Sequence, residues 1–237
     1  MSAVNKFGFG TVGTTLIPVW DGGTAYTYPA AATVLKVSSS DTDDDVGGTG
    51  ALTVRVFGLD ANYEPLDEYV TLTGQTAAVT TGEFLRVFRA YVVTAGTGGI
   101  NAGNIWFGTG TVTSGVPATK YAGITAGEGQ TLMAIYTVPA GKTALMTGWH
   151  ASTTADKGVV TVSLVARPLG GVFRTQEKHV VNPGDISAHY LPEKAFEAKT
   201  DIEIRAKANA ATEVVSATFD LLEVDPVTVT QRRENAI

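Results

Sequence analysis

Asp185, Ser187 and His189 are the residue types of a hydrolase triad, in which a base takes the serine proton and a carboxylate orients the base. Their spacing argues against that use. On a strand they share one face, with steps of roughly 6.6–6.8 Å, whereas a triad works at about 2.6–3.2 Å. No Gly-x-Ser-x-Gly elbow accompanies Ser187. The sequence therefore predicts a polar strand face here. Asp41, Asp43, Asp44 and Asp45 form an acidic loop, and clustered carboxylates are what a hard cation such as calcium takes. Val46 stands where an EF-hand needs glycine, so these four are weak metal candidates and a solvated turn is the plainer reading. His150, His179 and His189 lack metal-ligand spacing.

Gly8-Phe-Gly-Thr-Val-Gly13 matches a dinucleotide fingerprint, yet Thr14-Thr-Leu-Ile-Pro18 follows it where a helix must hold the pyrophosphate. Gly141-Lys-Thr143 resembles the end of a phosphate loop, but Tyr136 occupies the position of its first glycine. Trp20, Trp106 and Trp149, with Tyr26, Tyr28, Tyr63 and Tyr121, are candidates for a sugar platform or, more simply, for core packing. No acidic pair stands out as a glycosidase acid and nucleophile. The residues thus assign no catalytic group and no cofactor, and the expectation is a protein that is not an enzyme.

The composition narrows the classes further. The 237-residue chain has no cysteine, so it has no disulfide framework and no thiolate site. A net charge of −6 and a pI near 5.1 argue against nucleic acid held on a basic surface. No apolar run approaches a membrane helix, and Met1-Ser-Ala-Val-Asn-Lys-Phe7 has no signal-peptide core. Charged residues are only 17% against 44% hydrophobic, which suits a structural or binding protein with large buried interfaces.

The elements that would position these residues are strands. Ala51-Leu-Thr-Val-Arg-Val-Phe57, Tyr69-Val-Thr-Leu-Thr73, Gly158-Val-Val-Thr-Val-Ser-Leu-Val-Ala166, Asp201-Ile-Glu-Ile-Arg-Ala206 and Val214-Val-Ser-Ala-Thr-Phe-Asp-Leu-Leu222 alternate in polarity. Phe84 to Val93 reads as one longer strand. Turn clusters such as Asp21-Gly-Gly, Gly96-Thr-Gly-Gly99 and Asn182-Pro-Gly-Asp185 separate them. Residues 192–199 are the one place for a short helix. The fold class is all-β, of sandwich or jelly-roll kind.

The sequence repeats. Tyr26-Thr-Tyr-Pro-Ala-Ala-Ala-Thr-Val-Leu35 matches Tyr136-Thr-Val-Pro-Ala-Gly-Lys-Thr-Ala-Leu145 at six positions, with an offset of 110. Two similar β-sandwich or jelly-roll-like units in tandem are expected, residues 21–117 and 118–226, split near Val116-Pro-Ala-Thr-Lys120. An N-terminal arm, residues 1–20, and a C-terminal tail, residues 227–237, flank them. One larger sandwich with two similar hairpins is the alternative.

Several segments form a series: Val34-Leu-Lys-Val-Ser-Ser-Ser40, Gly48-Thr-Gly-Ala-Leu-Thr-Val54, Glu68-Tyr-Val-Thr-Leu-Thr-Gly74, Phe84-Leu-Arg-Val-Phe-Arg-Ala90, Gly127-Glu-Gly-Gln-Thr-Leu132, Phe196-Glu-Ala-Lys-Thr-Asp-Ile-Glu-Ile-Arg205 and Ser216-Ala-Thr-Phe-Asp220. Together they resemble virion structural proteins of tailed bacteriophages, especially aquatic ones, over residues 26–224. The resemblance implies a β-sandwich or jelly-roll protein built into the virion, and it carries over no catalytic residue. The resemblance leaves head and tail open, and the leading expectation is a capsid decoration, cement or minor head role. A tail adaptor or fibre-base component and a carbohydrate- or receptor-binding module are the alternatives. The expected partners are further copies of the chain in a symmetric oligomer, such as a trimer, and the major capsid or other virion proteins, with neither nucleic acid nor membrane.

Overall fold

A computed structural model describes residues 1–154, 158–210 and 212–226. Among these residues there are sixteen strands and no helix. They form four sheets, and every named strand pairing is antiparallel.

The first half of the chain supplies two sheets. One runs β6 (Ala78–Phe84), β3 (Thr33–Ser39), β8 (Ile105–Thr113), β9 (Val116–Ile124), and the other runs β5 (Pro65–Thr71), β4 (Ala51–Leu59), β7 (Arg86–Ala95). Their inward side chains, among them Leu35, Val37, Val54, Val56, Phe84 and Phe107, belong to one buried cluster. The remaining strands supply the other two sheets. One runs β1 (Ser2–Val12), β16 (Glu213–Val224), β11 (Thr143–Thr153), β14 (Gly184–Phe196). Its companion runs β10 (Ile135–Thr137), β15 (Asp201–Ala208), β12 (Val160–Arg167), β13 (Arg174–Val181), with β2 (Ile17–Pro18) also on β15. Met146, Trp149, Leu164, Ile204 and Phe219 lie in their shared core.

Both sheet pairs have the same connectivity. Counted from β3, six successive strands take the order 4-1-6 in one sheet and 3-2-5 in the other. Counted from β11, the next six do the same. The matched sequence segments fall in register with this, since Thr33 opens β3 and Thr143 opens β11. The two outer positions are filled differently. Beside β8 lies β9, whereas beside β16 lies β1 from the start of the chain. Beside β7 run residues 129–131, through Val92 N–H to the Gly129 carbonyl (2.8 Å) and Thr131 N–H to the Ala90 carbonyl (2.9 Å). Beside β15 lie β2 and β10.

The second unit is therefore discontinuous in sequence. Val19 N–H donates to Ile204 O at 2.9 Å, Ala134 N–H to Val19 O at 2.9 Å, and Ile204 N–H to Ala134 O at 3.1 Å. Residues 17–19 and 134–137 together track one side of β15, and residues 20–133 are inserted between them. The segment read as an N-terminal arm is built into the fold, because β1 pairs with β16 from Ser2↔Glu223 to Val12↔Glu213. Residues 116–120 lie inside β9, so the passage between units falls after Ile124. The tail at 227–237 lies outside the described residues.

Two local readings change as well. Phe84 to Val93 is two strands turning at Leu85. Residues 192–196 are strand rather than helix, because β14 pairs with β11 up to Phe196↔Ala144. The glycines of the fingerprint-like motif serve packing. A Cβ on Gly8 would stand 2.2 Å from the Val19 carbonyl oxygen, so only glycine lets β1 lie this close to residues 17–19.

Candidate functional site

The polar centre of the molecule is the junction of the two units. Arg86 opens β7 and Asp201 opens β15, the fifth strands of their respective repeats. Arg86 Nε donates to Asp201 Oδ1 at 2.8 Å, and Arg167, the last residue of β12, donates to Oδ2 through Nε (2.9 Å) and Nη2 (2.5 Å). Thr137 Oγ1 donates to Oδ1 at 2.6 Å. The Asp201 side chain is 3% exposed and Arg86 9%, so the charges are desolvated and paired. Burial works to lower the Arg86 pKa, and the hydrogen bonds and charge of Asp201 outweigh it and raise it.

Aromatic rings hold these cations in place. The Arg167 guanidinium lies 4.5 Å from the ring centres of both Tyr28 and Phe173. Arg86 lies 4.7 Å from that of Tyr28 and 5.3 Å from that of Tyr63. Tyr28 donates its hydroxyl to Glu203 at 2.7 Å, and Arg205 donates to the same carboxylate at 2.5 Å. Burial pushes the Glu203 carboxyl up, against the opposing charge of Arg205. A cleft of about 400 Å³ opens over this network, lined by Tyr28, Tyr63, Arg86, Arg167, Lys199 and Asp201 among others.

The acidic loop has a different use. Asp44 is fully buried and accepts from Ser39 Oγ (2.5 Å) and from the backbone N–H groups of Ala51 (2.7 Å), Ala102 (2.8 Å) and Gly103 (2.9 Å). Asp41 accepts from the Asp43 N–H at 2.9 Å, Asp43 from Thr49 Oγ1 at 3.2 Å, and Asp45 from the Val46 N–H at 2.6 Å. Asp44 ties its loop to the end of β3, the start of β4 and residues 102–103, while Asp41, Asp43 and Asp45 hold bonds within the loop itself. Among the described residues no three His, Cys, Asp or Glu side chains are placed to share a metal ion.

Ser187 and His189 lie closer than strand spacing suggests. Their side chains lean together to 3.2 Å (Ser187 Oγ to His189 Nε2), both exposed. Asp185 pairs with His150 across the sheet at 3.6 Å instead of orienting His189. His179 sits on Glu177, at 2.9 Å. The tryptophans are core residues: Trp20 and Trp149 are 2% exposed and Trp106 is 9%. Tyr63 and Tyr121 are buried as well.

No protein-family model matches the chain, and no curated protein matches it. Two solved structures to which it is similar are titled "Structure of infectious bursal disease virus Gt strain" and "Structure of infectious bursal disease virus Gx strain". Identity is 10% in both cases. The matches cover 94% and 96% of this chain and 72% of each of those chains, with TM-scores of 0.23 and 0.24.

The charged residues of the junction, Arg86, Arg167, Lys199 and Asp201, are not among the sequence candidates, whereas Tyr28 and Tyr63 are, as part of a sugar platform. Arg86 and Asp201 are far apart in the chain and each looks like an ordinary strand-end charge. The repeat offset of 110 sets Arg86 against Phe196, so the equivalence of Arg86 and Asp201 shows only in the strand order.

Proposed function

We propose that this chain is a non-enzymatic structural protein of a phage virion, in a capsid decoration, cement or minor head role. The observation that carries the reading is the strand order. Numbered from β1, with β2 and β10 counted as one position, the second unit reads 1-8-3-6 over 2-7-4-5. That is the order of a double-sheet jelly roll, an architecture used by viral capsid and lectin domains. The first unit follows the same order, with β9 and the hydrogen-bonded residues 129–131 taking the first two places from its C-terminal end.

The use of charge supports the same reading. Asp44, Arg86, Asp201 and Glu203 are buried and engaged internally. They serve to fix loops and to join units. The edges of the sheets suit assembly. Strand β14 is a 13-residue edge strand whose Leu191 is 96% exposed, and such edges pair or pack with neighbours. A symmetric homo-oligomer, such as a trimer, follows from repeating one contact around a shell. The lectin-like alternative loses the tryptophan platform, since those rings are buried.

Mass spectrometry of purified particles, with light scattering on the isolated protein, tests this. The expected result is a fixed copy number per particle and a closed oligomer. Absence from particles would overturn the proposal.

A further inference from the structure

We infer that the cleft between the two units binds a small oxyanion, a phosphate or carboxylate group, held by Arg167 and Lys199. This goes beyond the virion reading and does not depend on it.

Three cationic side chains, Arg86, Arg167 and Lys199, converge on a cleft whose lining holds one carboxylate, Asp201. The excess is positive in a chain that is otherwise acidic, at −6. Asp201 does not use up the donors around it. Arg86 spends its donors internally, on Asp201, the Leu85 carbonyl (2.9 Å) and the Tyr63 hydroxyl (3.4 Å). Arg167 engages Asp201 through Nε and Nη2, which leaves Nη1 for a ligand. Lys199 has no ion pair among the described residues; its Nζ lies 5.2 Å from the Tyr63 ring centre.

The two free donors are pre-organised. Arg167 is clamped between Tyr28 and Phe173, so its planar fork loses little freedom on binding. Lys199 has φ 65° and Tyr63 has φ 66°, both in the left-handed region that side-chain-bearing residues avoid. Among the described residues only Ser114 shares that conformation without being glycine. Two of these three costly positions thus line one cleft, with the Lys199 ammonium over the Tyr63 ring. Backbone bonds hold both: Lys199 N–H donates to the Val138 carbonyl and Ala140 N–H to the Tyr63 carbonyl, each at 2.8 Å. Glycine would serve either turn better, so a cation and an aromatic ring at these positions point to a role for the side chains.

The test is calorimetric titration of the full-length protein with inorganic phosphate and, separately, with citrate, at constant ionic strength in chloride. Saturable binding of at least one in the millimolar range is expected, and the two arms say which oxyanion fits. Lys199→Gln should weaken it by roughly fivefold or more, the loss of one charge-assisted contact. Lys199→Gly, which suits the left-handed backbone, should do the same with the fold intact, while Lys207→Gln on exposed β15 surface should not. Failure of both anions to saturate by about 50 mM, or equal affinity in Lys199→Gly, would overturn the inference.

Discussion

Arg86 and Asp201, the first residues of equivalent strands in the two units, form one ion pair across the junction at 2.8 Å. Internal repetition gave two copies of the same strand end, and opposite charges at that one position tie the copies together. The pair is nearly sealed from water, so removing one partner leaves the other buried and unpaired. Asp201→Ala is expected to cost about 3–5 kcal/mol in urea unfolding. Arg167→Gln should cost clearly less, because its side chain is 27% exposed and water can replace part of the bond. Equal losses would show that exposure does not set the energetics here.

The strands themselves were legible in the sequence. Val54 and Val56 point inward and Arg55 and Phe57 outward, as their alternation requires, and the offset between Thr33 and Thr143 marks matching strand starts. Alternation fixes a face but not a partner. Nothing in β1 says that it pairs with β16 at the other end of the chain, so from sequence alone residues 1–20 read as an arm. The corner at Leu85 carries no glycine or proline, so two strands looked like one. Spacing along an ideal strand also failed for Ser187 and His189, whose side chains lean towards each other. Sites built from residues distant in sequence, such as the junction, leave no local pattern.

Trp149 separates a core role from a ligand platform. Its ring is 2% exposed, and Nε1 donates to Glu177 at 2.9 Å and to the Tyr190 hydroxyl at 3.1 Å. Burial acts to raise the Glu177 pKa, but the hydrogen bonds from Tyr190, Trp149 and His179 hold it down to about 2. Trp149→Ala is expected to lose about 3–5 kcal/mol by leaving a large cavity, with Trp149→Phe intermediate. A Trp149→Ala protein that melts like the parent and loses only glycan binding would restore the platform reading.

Asp44 tests the acidic loop. Its two oxygens already accept four hydrogen bonds from three stretches of chain, which is what a bound cation would otherwise organise. Calcium and chelator should therefore leave the melting temperature unchanged. Asp44→Asn should cost about 1–3 kcal/mol, because the amide turns a donor towards buried N–H groups. A calcium-dependent rise in melting temperature that Asp44→Asn abolishes would reverse this.

Lys6 gives the protein a pH dependence. It lies on β1, buried, with Nζ donating to the Phe88 carbonyl oxygen of the other unit. Burial, with a smaller contribution from nearby Arg89, lowers its pKa to about 7. Between that value and 10.5 the unfolded chain binds a proton that the folded chain lacks. Stability should then rise with pH from about 7 upward, by up to about 1.4 kcal/mol per pH unit, and the full cost of burying the charge is felt below 7. Lys6→Met should flatten this slope relative to the parent between pH 7 and about 9.5, before other lysines titrate. A slope that survives the substitution would assign it elsewhere.

The insertion makes a prediction about folding. Residues 20–133 enter and leave the second unit at Val19 and Ala134, which are joined by a 2.9 Å hydrogen bond. Each unit has its own main buried cluster, and the contacts between units are both polar and apolar: the Arg86–Asp201 pair and the Lys6–Phe88 bond, with the Phe88 ring centre 4.8 Å from that of Tyr136 and Ile135 packed in the first unit's cluster. A mixed junction of this kind gives less to lose on separation than a single shared apolar core, and roughly 110 residues is an ordinary size for a domain. Residues 20–133 expressed alone should therefore unfold in urea as one cooperative transition, with Arg86 now free to meet water. Residues 1–19 joined to 134–226 through a short glycine linker should do likewise, because the linker spans two backbone positions that already touch. If either piece lacks a cooperative transition, that unit needs its neighbour to fold. The junction would then be part of the folding core, and Asp201→Ala should unfold the whole chain in a single step.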